Sequence, residues 1–124
     1  MRMPPAVRAL RGATTVERDE PEHITDRVVT LLKAMFARND VDHDDIISIL
    51  FTTTSDIHSM YPPTAARTMG LGDVPLIGAQ EIDVIGGTGS CIRVMLHLTT
   101  DRPRDGLHHV YLEGAKGLRD DLPE

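Results

Sequence analysis

Between Pro21 and Asn39 the apolar residues Ile24, Val28, Leu31, Leu32, Met35 and Phe36 recur at helical spacing, while Arg27, Lys33 and Arg38 fall elsewhere. This spacing predicts an amphipathic helix ending near Asn39, with Pro21 in its first turn and Asp19 or Glu20 placed to cap it. Upstream, Val7 to Gly12 reads as a short first strand, followed by a polar Thr14-Thr15 segment and an acidic turn from Glu17 to Glu20. Past the acidic stretch Asp40 to Asp45, Ile46-Ile47-Ser48-Ile49-Leu50-Phe51 is short, apolar and rich in branched residues, which predicts a buried strand ending in the polar Thr52 to Asp56. Tyr61 to Gly70 opens on prolines and closes on glycine, the bracketing of a short helix with Arg67 in its last turns.

Val74-Pro75-Leu76-Ile77 predicts a brief peripheral strand, because Pro75 removes one backbone donor. Gly86 to Ser90 is a loop. Cys91 to Thr99 is the clearest strand, with Ile92, Val94, Leu96 and Leu98 on one face and Cys91, Arg93, Met95 and His97 on the other. After a turn at Asp101-Arg102-Pro103, a final strand is expected around His109 to Leu112 and one helical turn over Gly114 to Arg119. The order of elements implies an α+β fold, a mixed sheet with helices packed on one face.

At 124 residues the chain suits one domain, 1–124, with flexible tails expected at 1–5 and 120–124. A net charge of -6 and only four aromatic residues argue against nucleic acid, whose partners carry a basic stripe or stacking surfaces. The N-terminus shows no apolar signal-peptide core, and no stretch is long and apolar enough for a bilayer, so no membrane association is expected. The lone Cys91 agrees with a reducing, cytoplasmic setting.

Arg93 is a permanent charge within an apolar strand, and an unpaired buried guanidinium is costly. It must face a carboxylate, water or an anionic ligand. The usual catalytic signatures are missing: His23, His43, His58, His97, His108 and His109 lack zinc-ligand spacing, so no metal is expected. Cys91 and His97 share a strand face but lie roughly 20 Å apart. Gly86-Gly87-Thr88-Gly89-Ser90 precedes a strand instead of opening a helix, unlike a phosphate-binding turn. What remains is Arg11, Arg67 and Arg93 with Glu81 and Tyr111, a set suited to a small polyanion. Each has a structural alternative: Arg11 exposed on an edge strand, Arg67 solvated at a helix end, Glu81 an internal ion-pair partner of an arginine, and Tyr111 a core residue.

Five stretches in order carry a resemblance: Arg11-Gly12-Ala13-Thr14-Thr15-Val16-Glu17-Arg18-Asp19, Pro62 to Arg67, Gln80-Glu81-Ile82-Asp83-Val84, Cys91-Ile92-Arg93-Val94-Met95, and His109-Val110-Tyr111-Leu112-Glu113. Together they are spread along almost the whole chain, which closely resembles the small monofunctional bacterial chorismate mutases of the trimeric α/β class, distinct from the all-helical mutases. The resemblance implies a pseudo-α/β-barrel homotrimer with active sites between subunits. It implies conversion of chorismate to prephenate by a Claisen rearrangement, without cofactor.

Carried over by residue, Arg93 would donate to the ether oxygen whose bond breaks, Arg11 and Tyr111 would bind a carboxylate, and Glu81 would accept from the ring hydroxyl. Arg67 would help hold the substrate at the cleft mouth, Tyr61 fills the aromatic position before Pro62, and Leu118 and Arg119 match the segment bordering the cleft. Thr64 stands where the family often has lysine, Gly78 where it has a hydrogen-bonding side chain, and the tail after Arg119 is short; these departures bear on affinity more than on activity. Two other readings keep the same residues: a trimeric small-carboxylate-binding or imine-deaminase-like protein with interface arginines, and a purely structural oligomerisation domain in which Arg93 pairs with Glu81 or Asp83.

Overall fold

The computed structural model describes residues 4–118, so Arg119 and nearly all of the two expected tails lie outside the described residues. Within that range the strands are β1 (Ala6–Thr15), β2 (Ile46–Thr53), β3 (Leu76–Gln80), β4 (Cys91–Thr100) and β5 (Val110–Tyr111), and the helices are α1 (Pro21–Asn39) and α2 (Pro62–Arg67). The strands form one mixed sheet in the order β3-β2-β4-β1-β5. β4 runs antiparallel to both β1 and β2, while β1–β5 and β2–β3 are parallel pairs. This is the expected α+β arrangement.

Register fixes two faces. Leu10, Leu96, Ile49 and Leu76 lie in one cross-strand row, with Gly12, Val94, Phe51 and Gly78 in the next. These rows face the helices. Gly12 lies against α1 so closely that a Cβ there would meet Met35 Sδ at 2.5 Å, and a Cβ on Gly78 would touch Pro63 of α2. Ile24, Val28, Leu31, Leu32 and Met35 of α1 complete a core in which none of them is exposed.

Several expected boundaries change. β1 continues through Thr14 and Thr15, because its pairing with β4 extends from Ala6↔Thr100 to Thr15↔Cys91. Thr14 is fully buried and Thr15 Oγ1 accepts from the Gly114 N–H, so neither begins a loop. At the start of α1, Glu20 occupies the cap position without a side-chain cap bond, and Asp19 turns away to accept from the N–H groups of His58 and Ser59. β2 is not buried on both faces: it alternates, with Ile49 and Phe51 inside and Leu50 36 % exposed, since both helices pack on the other side. Arg11 is not on an edge, because β1 lies between β4 and β5. The last strand shortens to two residues, and His109, just before it, accepts the Arg11 N–H through Nδ1 at 2.9 Å. The terminal turn is a single 3-10 turn over Glu113–Ala115.

Candidate active site

Strand alternation places Tyr111, Ala13, Arg93, Thr52 and Ala79 in one row across the sheet face opposite the helices. The next row on that face holds Arg11, Met95, Leu50 and Ile77. A cavity of about 260 Å³ opens between them, lined by Arg11, Leu50, Thr52, Arg93, Met95 and Tyr111. Tyr111 closes its β5 end, packed with Ala13, Cys91 and Ala115, and Leu118 rests against that cluster. Burial pushes the Cys91 thiol up, with nearby Arg93 opposing the shift.

Glu81 follows β3 directly and continues its ladder, donating its N–H to the Thr53 carbonyl at 2.9 Å. Its Oε1 lies 2.9 Å from Arg93 Nε and accepts from Thr52 Oγ1 at 2.6 Å. The ion pair therefore joins β4 to the end of β3, with β2 contributing the hydroxyl between them. Arg93 also lines a second recess of about 180 Å³, with Glu81, Thr54, Asp56 and the exposed loop of residues 82–89. Asp56 anchors the far end of that loop: it accepts from Thr54 Oγ1 and from the Ser90 N–H and hydroxyl at 2.8 and 3.2 Å. The Thr54 hydroxyl and the Ser90 groups hold the Asp56 carboxyl below its ordinary value despite some burial.

Apart from Arg67 and the undescribed Arg119, the expected site residues thus fall into two groups. Arg11, Arg93 and Tyr111 share one cavity, Glu81 grips Arg93 at its edge, and Leu118 packs behind Tyr111. Tyr61, 77 % exposed, lines a separate cleft of about 530 Å³ with Pro62, Thr64, Gly78 and Gln80, where the start of α2 meets β3. Arg67, exposed at the end of α2, lines neither. Asp19 holds the loop leading into this second cleft through His58 and Ser59. Hydrogen bonds from Ser59 and the His58 and Ser59 N–H groups overcome the upward effect of desolvation, leaving the Asp19 carboxyl below its ordinary value.

The model of the chorismate mutase type I family matches residues 7–122. The chain belongs to that family. The Bacillus subtilis (strain 168) chorismate mutase AroH is 43 % identical over 117 residues, covering 94 % of this chain and 92 % of the relative. Chorismate mutase AroH of Thermus thermophilus is 42 % identical over 117 residues, 94 % and 96 % of the two chains. A solved chorismate mutase from Clostridium thermocellum superposes with a TM-score of 0.86 at 46 % identity, covering 88 % of this chain and 97 % of that one.

For a type I chorismate mutase chain, the overall charge of -6 is locally reversed, since the residues lining the first cavity include Arg11 and Arg93 and no acidic side chain, with Glu81 paired to Arg93 at its edge. Thr52, Asp56 and Asp19 escaped the sequence reading as site residues. A polar residue at the end of an apolar strand gives a signal only once the outward face is known, and Asp19's partners lie 39 and 40 residues away. Among the described residues there is no cluster of three or more His, Cys, Asp or Glu able to hold a metal, and no helix long and apolar enough to cross a membrane.

Proposed function

We infer that this chain is a chorismate mutase, an isomerase that converts chorismate to prephenate by a Claisen rearrangement on the way to phenylalanine and tyrosine. The observation that carries this reading is Arg93: it is tethered through Nε to Glu81 while lining a cavity shared with Arg11 and Tyr111. The rearrangement needs no nucleophile. Its enzyme selects a compact conformer of a flexible dianion and stabilises negative charge growing on the ether oxygen as the carbon–oxygen bond breaks. Arg93 is the donor to that oxygen, Arg11 and Tyr111 bind a carboxylate, and Glu81 accepts from the ring hydroxyl.

The assembly is a homotrimer closed into a pseudo-α/β-barrel, with each site between two subunits. Two features support this. The helix-free face of the sheet leaves Val7 and Ile77 62 % and 64 % exposed beside the arginine cavity, an apolar surface suited to a second copy. Tyr61 and Thr64 line a cleft of their own, and Arg67 stands at the end of the same helix, so a neighbouring copy can bring all three to the mouth of the first cavity. Leu118, packed behind Tyr111, borders the site. The single buried thiol, Cys91, fits a cytoplasmic enzyme.

Magnitudes favour Arg93 as the leading residue. A million-fold acceleration requires about 8 kcal/mol of transition-state stabilisation. One well-aimed donor at a developing oxyanion supplies about 2.7 to 4 kcal/mol. The test is a spectroscopic assay of chorismate loss by purified protein without cofactor, before and after a chelator. Acceleration unaffected by chelator is expected; no acceleration over buffer overturns the reading, and loss with chelator overturns the cofactor-free chemistry.

A further inference from the structure

We propose that Thr52 is a positioning residue for the reaction, fixing the carboxylate of Glu81 so that Arg93 keeps its terminal donors turned to the substrate; the inference rests on the chorismate mutase reading above. Thr52 and Arg93 are cross-strand partners on the helix-free face, and Thr52 pairs with Ala79 on its other side. Its hydroxyl therefore stands between the cation and the end of β3. The Thr52 Oγ1 to Glu81 Oε1 separation of 2.6 Å lies in the range of charge-assisted O–H···O⁻ bonds.

Glu81 needs such a hold because it lies beyond the last residue of β3, at the start of a loop whose residues 82–89 are all exposed. Only its backbone continues the ladder. An unrestrained carboxylate beside a guanidinium tends toward the bidentate fork, taking two N–H groups at once. Here Oε1 is engaged both by Thr52 and by Arg93 Nε, the nitrogen on the side-chain stem. The pair is thus held at the stem, the terminal nitrogens stay available to the ether oxygen, and Oε2 is left for the ring hydroxyl. Serine could make the same bond; valine, of nearly the same shape, could not.

The experiment compares Thr52→Val and Thr52→Ser, alone and combined with Glu81→Gln, by kcat and KM with chorismate and by thermal melting. Thr52→Val is expected to lower kcat about tenfold with KM changed less than about twofold, the pattern of a group acting in the transition state. Thr52→Ser should stay within about twofold of wild type, and Thr52→Val should add less than about twofold to Glu81→Gln, since it acts through that carboxylate. Equal impairment of the serine and valine variants, or a full additional loss in the Glu81→Gln background, overturns the proposal in favour of simple packing. A crystal structure of Thr52→Val gives a readout independent of activity: Glu81 should swing toward the terminal nitrogens of Arg93, and an unmoved carboxylate is contrary to the proposal. Wild-type protein inert toward chorismate overturns the functional reading itself, whatever the carboxylate does.

Discussion

Arg93 Nε lies 2.9 Å from Glu81 Oε1, yet the arginine side chain is 45 % exposed and the glutamate only 18 %. The anion is tucked in and the cation left open. A pair this exposed contributes about 0 to 1 kcal/mol to folding, so its geometry matters chiefly to what the open cation meets. Arg93→Ala is expected to lower kcat about a hundred- to a thousandfold, the loss typical of one oxyanion donor. Its melting temperature should move by only a few degrees. A raised KM with unchanged kcat would contradict this role.

Arg67→Ala should chiefly raise KM, because a group that holds the substrate equally in ground and transition states changes affinity more than turnover. The proposal that each site is shared between subunits has a sharper test. Arg93→Ala and Arg67→Ala protein, unfolded and refolded together, would form mixed trimers in which about a quarter of the sites carry both intact arginines. Activity at low chorismate should rise well above that of either variant alone. Absence of complementation rules out a site shared between subunits.

Asp56 predicts an acid-side dependence of stability. Its carboxyl is held below the ordinary value of 3.8, chiefly by the Thr54 hydroxyl. The folded state therefore binds the proton less readily than the unfolded chain. Its contribution is present above the ordinary value and disappears as pH falls through the lower folded one. Melting of wild type and Asp56→Asn should differ at neutral pH and converge as pH falls below the ordinary carboxylate value. A difference constant across that range would remove the charge from the explanation.

Gly12→Ala should destabilise the fold, since the added Cβ would lie 2.5 Å from Met35 Sδ and 3.2 Å from Leu31 Cδ1 in a closed part of the core. Met35 is flexible, which limits the cost to about 1 to 3 kcal/mol, the usual penalty for overpacking. Urea unfolding measures it directly. A midpoint equal to or above that of wild type would show that α1 can retreat without loss.

Periodicity, with Pro21 marking the start, located α1 and separated the two faces of β4, because both elements carry a full set of apolar positions against one core. It placed Arg93 correctly on the face away from Ile92, Val94, Leu96 and Leu98. It failed where the deciding partner is distant. Asp19 looks like a helix cap until His58 and Ser59 are brought to it, and β2 looks buried throughout because its outward Leu50 and Ile47 are apolar. That second error hid Thr52: read as the polar end of a buried strand, it is an outward-facing neighbour of Arg93. Arg11, Glu81 and Tyr111 each had an equally good bland explanation until register placed Arg11 and Tyr111 around one cavity and Arg93 beside Glu81.

The helix-free face carries Leu50 and Ile77 in the same row as Arg11. If another copy covers these residues, solvent exclusion around the arginines becomes a property of protein concentration. Diluted below its subunit dissociation constant, the enzyme would lose activity while every chain stayed folded. A charge introduced at Ile77, which is not among the residues lining the arginine cavity, would then present itself in an assay as a catalytic defect that added protein repairs.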